Sequence, residues 1–213
     1  MFITFEGIEG SGKTTQIELL IPVLQAKGYE CVFTREPGAT EIGNKIRAIL
    51  LDAAHTTMIP LTELLLYEAD RAQHVHQVIK PALAANKVVV SDRFFDATPV
   101  YQGYARGYNL DLIQQSHQMV LGGLKPDLTL ILDLPVHEGL ERAWQRINSQ
   151  SEGLPEDRFE KEAVAFHERV RQGYLTLAND EPNRFRLIDA SRDEQAIHKE
   201  IAEIVLGLQG LKK

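Results

Sequence analysis

The sequence predicts a three-layer α/β/α domain built on a five-stranded parallel sheet, and three observations carry that prediction. Strand-sized apolar runs alternate with helix-length periodic segments along the chain, the pattern of parallel strands joined by right-handed helical crossovers. A length of 213 residues suits one such domain, residues 1–213, at roughly 150 residues per domain. A glycine-rich loop sits directly after the first apolar run, where ligands bind in this architecture, at the carboxyl ends of the strands.

In order, the elements read as a strand over Phe2–Glu6, a helix over Lys13–Lys27, a strand over Glu30–Thr34 and helices over Glu41–Asp52 and Leu61–Lys80. A strand over Lys87–Ser91, a helix over Leu110–Leu121, a strand over Leu128–Leu134 and helices over Val136–Ile147 and Glu160–Ala178 follow. The fifth strand is Phe185–Ile188, and a last helix lies near Asp193–Gly207, opened by a capping-box signature, Ser191-x-x-Glu194. The polar, turn-rich stretch Asn148–Asp157 has the composition of a mobile flap.

Composition bounds the function. With 44% apolar and 25% charged residues the chain can bury a full core. No apolar run reaches the ~18 residues of a membrane span, and the start, MFITFEG, lacks the basic region of a signal peptide. One cysteine, Cys31, excludes an internal disulfide framework and suits a cytoplasmic protein. A net charge of -7, from 30 acids against 23 bases, argues against nucleic-acid polymers and anionic membranes as partners.

The strongest motif is nonetheless an anion site. Gly7-Ile8-Glu9-Gly10-Ser11-Gly12-Lys13-Thr14 satisfies G-x-x-x-x-G-K-[ST] between a strand and a helix. Its glycines let backbone N–H groups wrap a phosphate at a helix N-terminus. Lys13 supplies charge to the β- and γ-phosphates, and Thr14 offers a hydroxyl to Mg²⁺. The second and third strands also end in charged pairs, Arg35-Glu36 and Asp92-Arg93, which converge on the same crevice. Asp92 suits the Mg²⁺ shell and Arg93 a second phosphate; Asp133, ending the fourth strand, is an equal rival to Asp92 on periodicity. His74-x-His76 reads as surface rather than metal, because residues two apart diverge on a helix, and Cys31 reads as a small core residue.

Two further segments, Asp92-Arg-Phe-Phe-Asp-Ala-Thr-Pro-Val-Tyr-Gln-Gly103 and Thr34-Arg-Glu-Pro-Gly38, make the chain resemble the bacterial thymidylate kinases over essentially its whole length. The resemblance implies a P-loop NTPase fold and transfer of the γ-phosphoryl of ATP to dTMP, with Mg²⁺, in a homodimer. It implies that Glu9 accepts a hydrogen bond from the dTMP 3′-hydroxyl, that Tyr67 stacks on thymine and that Arg71 reaches its O4. Tyr67 and Arg71, four residues apart, share a helical face; core packing is the other reading of Tyr67. Glu36 and Arg47 match positions lining the dTMP site, Arg93 the phosphate grip, Thr98 and Gln102 the thymine N3 edge, and Tyr101 the tyrosine that excludes a ribose 2′-hydroxyl. Ala39, Ala97 and Val100 depart from the usual Gly, Ser and Ala, and none removes a charge.

The resemblance also implies a lid, about residues 146–160, that delivers an arginine to the transferring phosphoryl group. Arg158 is favoured, then Arg146, with Arg142 a third candidate beside ATP; Arg142 and Arg146 could also form a solvated helix face with Glu138 and Glu141. A GTPase switch is disfavoured because neither Asp-x-x-Gly after a strand nor Asn-Lys-x-Asp occurs. An alcohol acceptor would want a general base, whereas these loops offer arginines suited to a second phosphate. The net acidity is reconciled by expecting the acids largely on water-facing helices around a small cationic cleft.

Overall fold

The computed structural model describes residues 1–149 and 157–208. Its strands are β1 (Phe2–Glu6), β2 (Cys31–Arg35), β3 (Val88–Asp92), β4 (Leu128–Asp133) and β5 (Phe185–Asp189). Among the described residues they form one all-parallel sheet in the order β2-β3-β1-β4-β5. Every residue of β1 is buried, as are nearly all of β3 and β4, while the edge strands β2 and β5 are partly exposed. Central strands covered by helices on both faces need apolar residues without alternation, which is why these runs are continuous.

The helices are α1 (Lys13–Ala26), α2 (Glu41–Leu51), α3 (Pro60–His74), α4 (Lys80–Ala84), α5 (Leu110–Leu121), α6 (Val136–Ser149), α7 (Val164–Asp180) and α8 (Glu194–Leu206). The single helix expected over Leu61–Lys80 is broken by a π turn, Val75–Ile79, between α3 and α4. A second π turn, Pro99–Ala105, occupies a segment to which periodicity assigns no element. Its wide turn is closed by the Arg106 N–H donating to the Tyr101 carbonyl at 3.0 Å; such turns concentrate at functional sites. The helix expected from Glu160 begins at Val164, after a tight turn over 158–162.

The capping box at Ser191 is not formed. Asp193 caps α8 by accepting from the Ala196 N–H at 2.9 Å, while the Ser191 hydroxyl is turned back to Asp189 at 2.6 Å. Asp193 precedes the first helical residue directly and wins the position because its short carboxylate caps at least as well as serine. Of the flap expected over Asn148–Asp157, residues 150–156 lie outside the described residues.

Register aligns the functional strand ends. Phe5 pairs with Asp92, Arg35 with Asp92 and Glu6 with Ile131, so the ends of β1, β2 and β3 share one edge beside the glycine loop. The chain leaving β3 is then pinned beneath the sheet. Arg184 makes a bidentate pair with Asp96 at 2.6 and 2.8 Å, and Thr129 donates to the same carboxylate at 3.2 Å. All three side chains are buried.

Arg184→Met should therefore lower the unfolding free energy by about 3–5 kcal/mol, because Asp96 keeps its charge without a partner. Urea denaturation of this variant and of Arg184→Met with Asp96→Leu tests the point. Apolar replacement of both should recover most of the loss; an equal loss in the double variant refutes the unpaired-charge account.

Candidate active site

The glycine loop owes its shape to two close approaches. Gly7 has φ +136°, and a side chain there would lie 2.5 Å from the Leu132 carbonyl. Gly10 has φ +71°, and a Cβ would lie 2.0 Å from the carbonyl of Gly139 on α6. The loop is thus wedged between the end of β4 and the first turn of α6, and only glycine fits. The Lys13 ammonium donates to the carbonyls of Gly7 (3.1 Å) and Ile8 (2.9 Å) and to Ser11 Oγ (3.3 Å). Burial, and then the nearby Arg93 charge, push this ammonium down to about 8.

Thr14 Oγ1 donates to Asp92 Oδ2 at 2.7 Å. Asp133, its rival, is engaged elsewhere in a bidentate pair with Arg171 at 2.6 and 2.8 Å. A hydroxyl and a carboxylate side by side are hard oxygen donors, a set that fits Mg²⁺.

Arg93 follows β3 in the left-handed region, φ +66°, with its N–H held by the Phe5 carbonyl at 2.9 Å. That backbone turns its side chain across the crevice. The guanidinium donates to Glu9 Oε1 (3.1 Å) and to the Tyr174 hydroxyl (3.1 Å) and lies 4.9 Å from the Tyr101 ring centroid. Tyr101 donates to Glu9 Oε1 at 2.6 Å, Tyr174 donates to Glu6 Oε2 at 2.6 Å, and His167 Nδ1 lies 3.2 Å from Glu9 Oε2. Burial would raise the Glu9 carboxyl, but the hydrogen bond from His167, the Arg93 charge and Tyr101 together hold it well below the usual carboxylate range. Glu6, wholly buried, is pushed up by burial to about 7 despite Arg93.

The other end of the crevice is a second charge network. Arg71, 1% exposed, donates to Glu36 Oε2 (2.9 Å), Glu68 Oε1 (2.8 Å) and Thr98 Oγ1 (3.0 Å). His74 is fully buried rather than on the surface, bridging Glu36 Oε1 (2.8 Å) and Thr34 Oγ1 (2.7 Å). Arg47 donates to the Pro37 carbonyl at 2.9 Å, and Gln102 donates through Nε2 to Glu63 Oε1 at 2.8 Å. Asp70 accepts from the Gly38 N–H at 3.0 Å; burial and Glu36 raise its carboxyl to about 6.

One cleft of about 1090 Å³ joins both ends. Glu9 to Thr14, Glu36, Arg47, Tyr67, Arg71, Asp92, Arg93, Thr98, Tyr101 and Gln102 all line it. Of the three lid candidates, Arg142 and Arg146 line it and Arg158 does not. Arg158 is tied to the Leu50 carbonyl at 3.0 Å and to Glu63, because Glu63 offers a buried carboxylate that a guanidinium fills better than water does. Most described acids are exposed or half-buried, as expected, but Glu6, Glu36, Glu63, Glu68 and Asp70 are buried, each against named partners.

Sequence reasoning misses Glu6, Glu63, His167 and Tyr174. Their available signals are weak: Glu6 ends a strand, and His167 and Tyr174 are seven apart on α7, hence on one face. Arg192, also unforeseen, lines the cleft while paired with Glu200.

The family model described as thymidylate kinase matches residues 5–201. The chain is similar to the thymidylate kinase of Desulfosudis oleivorans, 58% identical over 190 residues and covering 89% of each chain. It is also similar to that of Geotalea daltonii, 54% identical over 206 residues and covering 97% of this chain and 96% of the relative. A solved structure of thymidylate kinase from Ehrlichia chaffeensis superposes with a TM-score of 0.75 at 35% identity, over 96% of this chain and 98% of that one.

The buried Glu6 gives a pH prediction. Its folded value near 7 lies above the ordinary 4.5, so between those values the folded protein holds a proton that the unfolded chain has released. Stability from this group is complete below about 4.5 and is lost as pH rises through about 7. Glu6→Gln should flatten the fall in unfolding free energy between pH 5 and pH 7.5, leaving the weaker slope of Asp70. Denaturant melts across that range test it; parallel curves for the two proteins would contradict the assignment.

Proposed function

The chain belongs to the thymidylate kinase family and is a kinase of nucleotide biosynthesis, and from that premise we propose that its cleft transfers the γ-phosphoryl group of ATP to dTMP. The observation that carries the residue-level reading is Arg93, a partly buried guanidinium facing the phosphate loop from the end of the adjacent strand. Two anion-binding devices at opposite sides of one crevice suit two phosphate groups that must react with each other.

The acceptor is a phosphate oxygen. With a second pKa near ~6 it is already anionic at neutral pH, so no general base is needed. The barrier is the approach of two polyanions and the shift of charge toward the β,γ-bridge, which positioning and fixed cations lower. In this reading the Gly7, Ile8, Gly10, Ser11 and Gly12 backbone and Lys13 hold the donor phosphates, and Arg93 grips the acceptor phosphate. Arg146 and Arg142, on the α6 wall of the cleft, reach the transferring group and ATP in preference to Arg158, whose guanidinium is committed to Glu63. Thr14 and Asp92 would hold Mg²⁺, which supplies neutralising charge at the β- and γ-oxygens when bound.

For the nucleoside, Tyr67 lies one turn before Arg71 on the face of α3 that lines the cleft and offers its ring to the thymine plane. Arg71 and Thr98 meet the base edge, with Gln102 beside them. Glu9 and Tyr101, joined at 2.6 Å, meet the sugar, with Tyr101 filling the space of a 2′-hydroxyl. Glu36 and Arg47 complete the wall. Pairing as a homodimer is supported by exposed apolar side chains on the packed helices α3 and α5, namely Leu61, Leu65, Leu112 and Met119. A cytoplasmic setting accords with the single, partly buried Cys31 and with the described helices, none of which is long and apolar enough to cross a membrane.

Arg93→Ala should reduce turnover of dTMP by about 10³-fold or more while ATP affinity stays within about threefold. Arg146→Ala should cut turnover more deeply than Arg158→Ala. Coupled ADP-release assays with equilibrium ATP binding measure both; wild-type turnover in the Arg93 variant would remove the phosphate grip from this reading. Activity equal on dTMP, dGMP, AMP and shikimate would remove the substrate assignment.

A further inference from the structure

Glu63 is buried, 1% exposed, and its carboxylate is saturated with donors. Oε1 accepts from Gln102 Nε2 (2.8 Å) and Arg106 Nε (3.2 Å), and Oε2 accepts from Arg158 and from Arg106 Nη2 at 3.4 Å. Two guanidinium groups keep this carboxylate ionised, so it can only accept. Gln102, itself 1% exposed, therefore has one amide orientation, because the flipped form would set its carbonyl oxygen against Glu63 Oε1. One of its two amide N–H groups is committed to Glu63, which fixes the amide orientation and leaves Oε1 as its acceptor for the cleft it lines.

Glu63, Tyr67 and Arg71 are spaced four apart, so Glu63 lies on the helix face that carries the groups assigned to the base. A fixed carbonyl oxygen at a base edge discriminates by hydrogen-bond polarity. Thymine and uracil carry N3–H, which such an oxygen accepts; cytosine presents a lone pair at N3, which it repels. Thr98 cannot make this distinction alone, since a hydroxyl rotates to donate or accept.

We infer that Glu63 is a positioning residue for base selectivity: by holding the Gln102 amide in one orientation it makes the cleft admit pyrimidine monophosphates with an N3–H and reject dCMP. This rests on the reading that places the base beside Gln102. A site whose buried polar group is left unpaired or opposed by the wrong ligand rejects that ligand strongly.

The test is the ratio of dCMP to dTMP dissociation constants, measured by titration calorimetry, together with kcat and KM for dTMP. Glu63→Gln gives residue 63 a carboxamide that can donate or accept, which frees Gln102 to flip. The ratio should fall about tenfold or more, from weaker dTMP and tighter dCMP binding, with KM for dTMP rising and kcat within about twofold of wild type. Glu63→Asp keeps the charge that Arg106 and Arg158 need but draws the carboxylate back from Gln102. It should fold even where Glu63→Gln does not, and should lower the ratio by a smaller factor. Loss of affinity for both nucleotides alike, with an unchanged ratio, marks a merely structural residue and overturns the inference. Gln102→Leu separates the two levels: an unchanged ratio there removes the base from Gln102, whereas a lowered ratio there with unchanged ratios in both Glu63 variants overturns the role of Glu63 alone.

Discussion

Arg93 is a full positive charge held largely out of bulk water, its side chain 19% exposed, and the rest of the crevice is arranged around keeping it there. A buried guanidinium without partners would cost several kcal/mol, and the chain answers from four elements. The glycine loop sends Glu9, α7 sends Tyr174, the π turn sends the Tyr101 ring, and β1 sends Glu6, whose carboxylate lies 4.0 Å away. Its left-handed backbone, φ +66°, adds a strain of order 1–2 kcal/mol. That strain is the consequence of leaving β3 and turning at once across its neighbour, and the Phe5 carbonyl holds the turn in place. The same charge acts at a distance: it contributes to lowering Lys13 and opposes the rise of Glu6.

The donor side is held by sterics more than by charge. Gly10 and Gly139 approach so closely that a methyl group on either would strike the other's neighbourhood, 2.0 Å from Gly139 O in one case and 2.6 Å from Glu9 O in the other. This contact welds the first turn of α6 to the phosphate loop. The Cα positions of Arg142 and Arg146, one and two turns further along α6, are therefore fixed relative to that loop. Arg142 is additionally steadied by the Ala190 carbonyl at 3.4 Å. On the proposed reading, this position on α6 is the ground for preferring Arg142 and Arg146 to Arg158, which is held by Glu63.

What was legible in the sequence was local. The glycine loop, the ends of β2 and β3 and the pair Tyr67 and Arg71 follow from spacing along one element, and Glu9 to Thr14, Arg35, Glu36, Asp92, Arg93, Tyr67 and Arg71 line the cleft. What was illegible depends on partners far apart in the chain. Arg158 resembles a free lid arginine until Glu63, 95 residues away, claims it. His74 reads as surface until Glu36 and Thr34 close over it. The π turn at Pro99–Ala105 has no periodicity to announce it, since a turn with an extra residue matches neither a period of 2 nor one of 3.6. Asp193 displaced Ser191 as the cap by a shift of two residues, the scale on which helix ends are ambiguous.

The acidic net charge then has a structural meaning that composition could not supply. At the base end the arginine is neutralised within the protein: Arg71 meets Glu36 and Glu68, with His74 behind Glu36. Charges so paired contribute rigid hydrogen-bonding geometry and little net field, which suits recognition of an uncharged base. At the phosphate end the balance differs. Lys13, Arg93, Arg142 and Arg146 line the cleft against Glu9, Asp92 and Glu160, and Asp92 faces Thr14, where a divalent cation would offset it. On the proposed reading, the cationic side chains gather where two polyanions would meet, and mutually paired polar groups where the base would be selected. A protein with net charge -7 can hold both, because the field inside a cleft is set by the few charges that line it and not by the total.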